Sequence, residues 1–344
     1  QFQRWYDQAG TPEVDVTSEY DSETKQYRLN FQQSCRPSPG QKDKLDYLIP
    51  IRLGLLDAKG EAISLSPANG NTDYLFELTQ EKETLLFENI ESEPVPSLLR
   101  GFSAPVRLAF DYSDEQLLFL MKYDEDGFNR WDAGQTLSVR ILQRLISAVQ
   151  SGQKLQLSAP YIEAFRKILT DSSLDKAMLC KMLILPAESY LVQLTSDADV
   201  DAIHKAREFV RTELAKHLSK ELFGIYESNI HYQGDKPLGF DAISQRALKN
   251  AVLSLLGAVS DQSSDLTKQY QALAEKQFTS AKNMTDAFSA LYVLVNSGNK
   301  DLADSALERF YAKWKDDAQV MEQWFSVQSA SSSYADLSHI ETLM

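Results

Sequence analysis

A change in hydrophobic period near residue 111 constrains the fold more than any other feature of this sequence. Before it, apolar residues recur at every second position, as at Tyr27, Leu29 and Phe31, which is the spacing of a strand with one buried face. After it, apolar residues recur at every third or fourth position, which is the spacing of an amphipathic helix. The sequence therefore predicts a β domain followed by an all-α domain.

Turn-forming residues divide the first part of the chain into short strands. The segments 37–40 and 57–60 combine Pro or Asp with Gly, which favour turns, and Pro94 and Pro96 bound a further strand. Several short strands separated by turns are typical of an Ig-like sandwich. We therefore predict an antiparallel Ig-like β-sandwich over residues 1–112.

The second part reads as a series of helices. Ser113 or Asp114 is placed to cap the first of them, because short polar side chains accept hydrogen bonds from free backbone N–H groups. Short connections predict helical hairpins that form a superhelical array over residues 113–344, although no repeat of fixed period is visible. The apolar helical stretches cover residues 137–149, 161–169, 174–185, 200–226, 243–256, 266–278, 285–295, 302–314 and 320–327.

The charge and the cysteine content limit the possible partners and location. The net charge of −14 argues against a nucleic-acid-binding surface, which needs clustered Lys and Arg, and against an anionic membrane surface. No apolar run has the length of a membrane-spanning helix. The two cysteines, Cys35 and Cys180, lie in segments of different character, which favours a reducing compartment over a disulfide framework. We predict a cytoplasmic protein with no nucleic-acid or membrane partner.

The sequence contains no recognisable catalytic motif. A zinc hydrolase of the commonest kind would need H-E-x-x-H, but the histidines at 204, 217, 231 and 339 are scattered. His217 and Glu221 lie four residues apart, yet two ligands are fewer than a zinc site requires. A solvent-facing pair on one helix is the favoured interpretation. No catalytic, metal-binding or cofactor-binding residue is predicted in this chain.

One acidic segment imitates a calcium loop. Asp197, Asp199, Asp201 and Glu208 have the spacing of four ligands in an EF-hand, but Ala202 stands where the loop requires Gly for its sharp turn. The favoured alternative is that Asp197 or Asp199 caps a helix whose acidic first turn complements the helix dipole.

An aromatic turn precedes the first strand. It contains Phe2, Trp5 and Tyr6, and a helix of so few residues is marginal in water without a partner. We therefore expect residues 1–11 to form a junction with structure that precedes them in a longer protein. The predicted junction residues are Phe2, Trp5, Gln8 and Pro12.

Taken in order, five segments resemble the C-terminal portion of bacterial aminopeptidase N, a zinc aminopeptidase family of the gluzincin type. They extend over nearly the whole chain in the family's order. Each segment alone is a weak indication of the family, and the five segments together are a specific one. The segments are 2–12, 94–99, 126–135, 283–287 and 324–328.

The resemblance implies a β-sandwich that follows a catalytic domain, and a helical domain that caps the active site and limits which peptides reach it. The family's zinc ligands, catalytic Glu and Tyr, and G-A-M-E-N motif lie upstream, so no such residue is carried over to this chain. The resemblance also implies further helices beyond Met344, so that the helical domain is truncated here. The residues expected to pack between or within domains are Arg130, Trp131, Asp132, Asn283, Asp286, Trp324 and Gln328.

The predicted function is therefore that of a non-catalytic C-terminal fragment of an enzyme that removes N-terminal amino acids from peptides. The fragment alone is expected to be inactive and to hold no cofactor, whereas the parent enzyme holds zinc. The implied partners are the catalytic domain of the same parent chain and, in the full enzyme, peptide substrates. The alternative is a stand-alone adaptor that binds another protein through its helical array.

Overall fold

The computed structural model describes residues 1–65, 70–231, 238–259, 261, 264–331, 334 and 336–343. Its internal contacts divide the chain into two units, Gln1–Leu137 and Ser138–Met344. The boundary between these units lies inside a helix. The predicted boundary at residue 112 marks instead the place where strands give way to helices.

Within the described residues, the first unit begins with a short helix, α1 (Arg4–Asp7), followed by seven strands. Four strands form one sheet in the order β5-β2-β1-β7, and three form the other in the order β4-β3-β6. The strands are β1 (Glu13–Asp21), β2 (Gln26–Ser34), β3 (Ile49–Leu56), β4 (Tyr74–Leu78), β5 (Lys82–Phe87), β6 (Val95–Leu98) and β7 (Arg107–Phe110).

The predicted alternation places one face of each sheet in a shared core. Tyr27, Leu29 and Phe31 of β2 are buried, and the ring of Phe31 lies 4.8 Å from that of Phe76 in the other sheet. The pairings within the sheets are antiparallel except that β7 runs parallel to β1. The β-then-α order is confirmed, and the parallel pair is a local departure from the antiparallel prediction.

The change from strand to helix takes place at Ser113. Its hydroxyl accepts a hydrogen bond from the Gln116 backbone N–H, and the Gln116 side chain accepts one from the Ser113 N–H. This capping box satisfies two N–H groups that a helix start leaves without partners. The predicted cap is confirmed, and it begins α2 (Asp114–Tyr123), which is followed by α3 (Gly127–Gln150).

The second unit contains the end of α3 and further helices. Helix α9 is central, since α5, α7, α8 and α11 all pack against it, and α11, α12 and α13 pack in succession. The helices are α4 (Ala159–Leu169), α5 (Lys176–Met182), α6 (Glu188–Gln193), α7 (Val200–His217), α8 (Ser219–Ser228), α9 (Phe240–Leu256), α10 (Asp265–Ser280), α11 (Met284–Val295), α12 (Lys300–Trp314), α13 (Ala318–Ser329) and α14 (Leu337–Leu343).

The single helix predicted over residues 200–226 is wrong, because the chain bends at Leu218. Leu218 has a φ of −113° and a ψ of 15°, which ends α7 and begins α8. The apolar spacing nevertheless continues, since Leu214, Leu218 and Leu222 are all fully buried. The periodic pattern reports the buried face and does not reveal the bend in the backbone.

A buried arginine joins the sandwich to the start of the helices. The Arg100 side chain is 4% exposed, and it donates from Nη2 to Asp124 Oδ1 at 3.2 Å and from Nη1 to Asp73 Oδ1 at 2.6 Å. Its Nε donates to Ser97 Oγ at 2.8 Å. Asp124 also accepts a hydrogen bond from the Asp126 N–H, so it fixes the connection between α2 and α3.

The backbone around Arg100 is built to bring its guanidinium inside. Leu99, Gly101 and Phe102 all have positive φ, at 60°, 62° and 52°, a conformation that costs free energy for residues with a side chain. Gly54 provides the space, because a Cβ there would lie 2.6 Å from both Nη atoms of Arg100. Glycine at position 54 is therefore required by the close approach of the guanidinium.

We predict that Gly54→Ala lowers the free energy of unfolding by about 1–3 kcal/mol, because the added methyl group displaces the guanidinium from its carboxylate partners. Urea unfolding followed by circular dichroism measures the change. Gly224→Ala is the matched control, since a Cβ at position 224 meets nothing within 4 Å and alanine favours the helix. Equal unfolding midpoints for Gly54→Ala and the native chain would contradict the prediction.

Candidate functional site

The N-terminal turn is fastened to its own β-sandwich. Trp5 Nε1 donates to the Leu48 carbonyl at 2.9 Å, and the Trp5 ring lies 4.8 Å from the Tyr47 ring. The Gln8 side chain donates to the Leu45 carbonyl at 2.9 Å and accepts from the Leu45 N–H at 2.6 Å. Trp5 and Gln8, both predicted junction residues, thus anchor the turn within their own domain.

Two aromatic side chains of the turn remain on the outside. Phe2 is 59% exposed and Tyr6 is 77% exposed, and their rings contact each other edge to face at 6.3 Å. We call Phe2 and Tyr6 the outward pair. Pro12 is buried at the start of β1, so Phe2 is the one predicted junction residue that is mostly exposed. Tyr6 belongs to the same surface, although the prediction omitted it.

The start of α3 contacts the sandwich through Asn129. The Asn129 amide donates to Ser97 Oγ at 2.8 Å and to the Leu98 carbonyl at 2.9 Å. Arg130 is also buried, and its Nε donates to the Met121 carbonyl at 3.3 Å. Arg130 therefore satisfies a carbonyl near the end of α2, while Asn129, which the sequence prediction missed, binds the β-sandwich.

The remaining residues of this predicted segment lie nearer the surface. Trp131 is half-buried, with its ring 5.9 Å from that of Phe128, which in turn contacts Phe102 at 5.3 Å. Asp132 is exposed on the same helix. Trp131 thus belongs to an aromatic cluster at the start of α3, and the protein around Asp132 raises the pKa of its carboxyl by desolvation even though the residue is exposed.

In the helical unit, Asp286 is the centre of a buried polar network. Its carboxylate accepts hydrogen bonds from Lys249 Nζ at 2.8 Å, Asn250 Nδ2 at 3.0 Å and Asn283 Nδ2 at 3.0 Å. The Asn283 side chain also accepts from the Asp286 N–H, which caps α11. Gln277 donates to Asn250 Oδ1 and to the Asp286 carbonyl. The two predicted residues Asn283 and Asp286 are therefore brought together, and the network connects α9, α10 and α11.

The charge state of Asp286 follows from its partners. Burial alone would raise the pKa of this carboxyl, but hydrogen bonds from Lys249, Asn283 and Asn250 outweigh it and hold the pKa below its ordinary value. Asp286 therefore remains a carboxylate and neutralises the buried ammonium group of Lys249.

Trp324 packs α13 against α12. Trp324 Nε1 donates to the Leu307 carbonyl at 3.1 Å, and its ring lies 5.2 Å from that of Tyr311. Gln328 is buried, and its amide donates to the Trp324 carbonyl at 2.9 Å. Trp324 therefore lies at the contact between α12 and α13, whereas Gln328 binds within α13 and lies 3.2 Å from His339 Nε2 of α14.

The acidic segment that imitates a calcium loop forms a helix cap. The Asp199 carboxylate accepts from the Ala202 N–H at 2.9 Å and begins α7, which confirms the favoured alternative. Glu208 lies beyond the first turn and binds Arg211 with both oxygens, at 2.8 and 2.9 Å. Asp199 and Glu208 thus have separate structural partners.

The predicted pairing of His217 with Glu221 is wrong. His217 Nε2 lies 3.6 Å from Glu213, within α7, whereas Glu221 pairs with Arg166. The bend at Leu218 separates the two positions, because it interrupts the helical spacing on which the prediction relied.

The family resemblance leads us to expect the zinc ligands upstream of this chain and not within it. In the part of the chain that the structure describes, no group of three or more His, Cys, Asp or Glu side chains could hold a metal ion. None of the helices described there is both long and apolar enough to cross a membrane.

Comparison with known proteins identifies both parts of the chain. Residues 10–111 match the family described as "Domain of unknown function (DUF3458) Ig-like fold". Residues 114–344 match the family described as "Domain of unknown function (DUF3458_C) ARM repeats". The chain therefore belongs to the DUF3458_C family, with the Ig-like DUF3458 domain in front of it, and the predicted Ig-like sandwich and helical array are confirmed.

Curated relatives bear the name aminopeptidase N. The chain is 36% identical over 330 residues to aminopeptidase N of Escherichia coli, covering 96% of this chain and 37% of that protein. It is 32% identical over 344 residues to aminopeptidase N of Haemophilus influenzae, covering 100% of this chain and 38% of that protein. The resemblance drawn from the sequence is confirmed, and the chain spans less than two fifths of the length of these relatives.

A solved structure shows the same fold. Aminopeptidase A of Legionella pneumophila, crystallised in complex with aspartic acid, superposes with a TM-score of 0.77 at 30% identity. The match covers 98% of this chain and 37% of that protein. Both units of this chain thus have a counterpart within a longer aminopeptidase.

We predict that Asp286→Asn lowers the free energy of unfolding at pH 7 by about 3–5 kcal/mol, because it leaves the buried Lys249 ammonium without a carboxylate. A carboxyl with a lowered pKa stabilises the fold above its unfolded value of about 3.9 and loses that contribution as the pH falls through its folded pKa. The difference between variant and native chain should therefore shrink below about pH 4.

Urea unfolding at several pH values measures both effects. Asp265→Asn is the matched control, since Asp265 is fully exposed and lies 3.9 Å from Lys268 on the surface of α10. We expect little change from that control. If Asp286→Asn and the native chain have the same urea midpoint of unfolding at pH 7, the network contributes nothing to stability.

Proposed function

We propose that this chain is the non-catalytic C-terminal part of a zinc-dependent aminopeptidase N, where it supports and caps the active site and limits the access of peptides. The observation that carries the proposal is the extent of the match. A curated aminopeptidase N matches 96% of this chain but only 37% of its own length. The catalytic domain of the same parent enzyme and its peptide substrates are the proposed partners.

The lack of a zinc-peptidase motif in this sequence supports the assignment of catalysis to another part of the parent enzyme. The chain of 344 residues contains no H-E-x-x-H sequence, the two-histidine spacing on which zinc peptidases of this type rely. We therefore assign zinc binding and peptide hydrolysis to the remainder of the parent enzyme. The polar networks around Arg100 and Asp286 serve structural roles in this chain.

The outward pair is the proposed contact with the catalytic domain. Phe2 and Tyr6 are exposed, yet the turn that carries them is held by the hydrogen bonds of Trp5 and Gln8. Aromatic side chains on a fixed backbone contribute strongly to interfaces, because little conformational entropy is lost on binding.

A stand-alone adaptor is the second candidate function, and the description of residues 114–344 as ARM repeats favours it. Arrays of this kind present extended surfaces to partner proteins. The two candidates differ in what precedes Gln1 in the gene. A reading frame that encodes H-E-x-x-H upstream supports the aminopeptidase, whereas a start codon directly before the Gln1 codon supports the adaptor.

We also propose that the protein works in the cytoplasm. Cys35 and Cys180 are both free, and Cys180 is buried. Free thiols are the usual state in a reducing compartment.

We predict that the purified chain, supplied with excess zinc, does not hydrolyse leucine or alanine arylamides and retains no stoichiometric zinc after dialysis. The reason is that the ligand set for zinc is assigned to another part of the parent enzyme. Chromogenic release and metal analysis measure the two outcomes, with Escherichia coli aminopeptidase N as the positive control. Robust turnover by the chain alone would refute the proposed division of labour.

We predict that the upstream segment of the gene, produced separately, binds this chain and shows arylamide hydrolysis in the complex. The double variant Phe2→Ser with Tyr6→Ser should weaken binding at least about tenfold, because the residues that dominate an interface, among which tyrosine is enriched, each cost about 2 kcal/mol or more when truncated. Isothermal titration calorimetry measures the affinity.

Leu75→Ser is the matched control for this experiment, since Leu75 is an apolar side chain of β4 that is 54% exposed and lies outside the turn. Its affinity should equal that of the native chain. Equal affinity of the double variant and the native chain would show that the outward pair does not form the interface.

A further inference from the structure

A polar cleft in the helical unit contains two neighbouring arginines. The cleft has a volume of about 860 Å³ and is lined by residues of α6, α7, α9 and α11 and by the end of α13. Arg207 and Arg211 lie one turn apart on α7, and Tyr292 of α11 lines the same space. We call this region the arginine cleft.

The acidic side chains nearest these arginines already have partners. Arg211 Nη1 donates to both carboxylate oxygens of Glu208, at 2.8 and 2.9 Å, and its Nη2 donates to the Ser254 carbonyl at 2.9 Å. Glu188 lies 2.9 Å from His204 Nδ1. Arg211 and Glu208 therefore neutralise each other.

Arg207 is different, because the outer end of its guanidinium forms an ion pair with Glu208 but no hydrogen bond. Its Nε donates to the Pro186 carbonyl at 3.0 Å, and the nearest Glu208 oxygen lies 3.5 Å from Nη1. Among the described residues, neither Nη1 nor Nη2 makes a hydrogen bond, although the side chain is only 22% exposed. Each of these nitrogens carries two N–H donors in a planar fork.

Burial and the nearby charge of Arg211 lower the pKa of Arg207. An arginine nevertheless remains protonated in proteins. A positive charge is thus held mostly out of water without a hydrogen-bonded carboxylate, which is costly for the fold. Such arrangements are concentrated at sites that bind ligands.

We propose that the arginine cleft binds a small carboxylate, which accepts two parallel hydrogen bonds from Nη1 and Nη2 of Arg207. A planar carboxylate matches this fork, and bidentate pairs are among the strongest hydrogen bonds in proteins. The Tyr292 hydroxyl, which makes no hydrogen bond to a described residue, is a further donor in the same cleft.

The charges around the cleft select a singly charged ligand. Glu188 and Asp201 also line it, and their negative charge disfavours a doubly charged anion such as phosphate. The site lies wholly within the helical unit and exists whether or not the chain belongs to an aminopeptidase.

Nuclear magnetic resonance of the complete 344-residue chain tests the site. The Nε–H resonances of Arg207 and Arg211 are followed during titration with acetate, with its neutral analogue acetamide, and with inorganic phosphate at pH 7. We expect acetate to shift both resonances saturably. We expect acetamide to have no effect, and phosphate to bind more weakly than acetate.

Two substitutions identify the residue that is responsible. Arg207→Gln should reduce the acetate affinity at least about tenfold, as reported by the Arg211 resonance, because it removes the charge and both charge-assisted hydrogen bonds. Arg207→Lys keeps the charge but loses the fork, so it should still weaken binding several-fold. Tyr292→Phe should weaken it by a smaller factor. Arg309→Gln, an exposed arginine of α12 outside the cleft, is the matched control and should bind acetate as the native chain does.

The proposal is overturned if acetate produces no saturable shift, if acetamide shifts the resonances equally, or if both Arg207 variants bind acetate with native affinity. Tighter binding of phosphate than of acetate would overturn the assignment to a carboxylate. Thermal melts establish that each variant is folded. If Arg207→Gln does not fold, the acetate affinity of Arg207→Lys alone tests the proposal.

Discussion

The charge of Arg100 has to be neutralised inside the first unit, and much of the surrounding structure follows from this requirement. A guanidinium removed from water is stable only when carboxylates and hydrogen-bond acceptors surround it. Asp124 supplies a carboxylate from the connection between α2 and α3, and Ser97 is shared by Arg100 and Asn129. The sandwich and the start of the helices are therefore held together by polar contacts as well as by apolar packing. This explains why the compact unit extends to Leu137, beyond the last strand.

Lys249 and Arg207 are two cations of the helical unit that have little exposure to solvent, and their charges are neutralised to different degrees. Lys249 is fully paired with Asp286, and further amides complete the network around that carboxylate. Arg207 has a backbone carbonyl as its hydrogen-bond acceptor, while the neighbouring Glu208 is bound by Arg211. A completed network rigidifies the contact between helices. An incomplete one leaves directed donors at the edge of a cleft, where a ligand can complete it.

Local features of the sequence predicted local structure well. The change of period located the end of the sheets, and the caps formed by Ser113 and Asp199 were recognisable because each acts within three residues of itself. The bend at Leu218 could not be predicted, since the buried face continues across it. The partners of Arg100 were also beyond prediction, because they are distant in sequence. The lack of hydrogen bonds at the fork of Arg207 was beyond prediction as well, because it depends on a competing arginine that binds Glu208. The parallel pairing of β7 with β1 was missed for a similar reason, since alternation reveals a strand but not its neighbour.

The close approach of Arg100 to Gly54 has a consequence for how this fold can diverge. Any side chain at position 54 occupies the volume of the guanidinium, and any shorter residue at position 100 leaves Asp124 buried without its cation. Neither position can change alone without loss of stability, so the two are expected to vary together among homologous sequences. Pairs of this kind appear in alignments as correlated substitutions, and this one would connect β3 with the turn that follows β6.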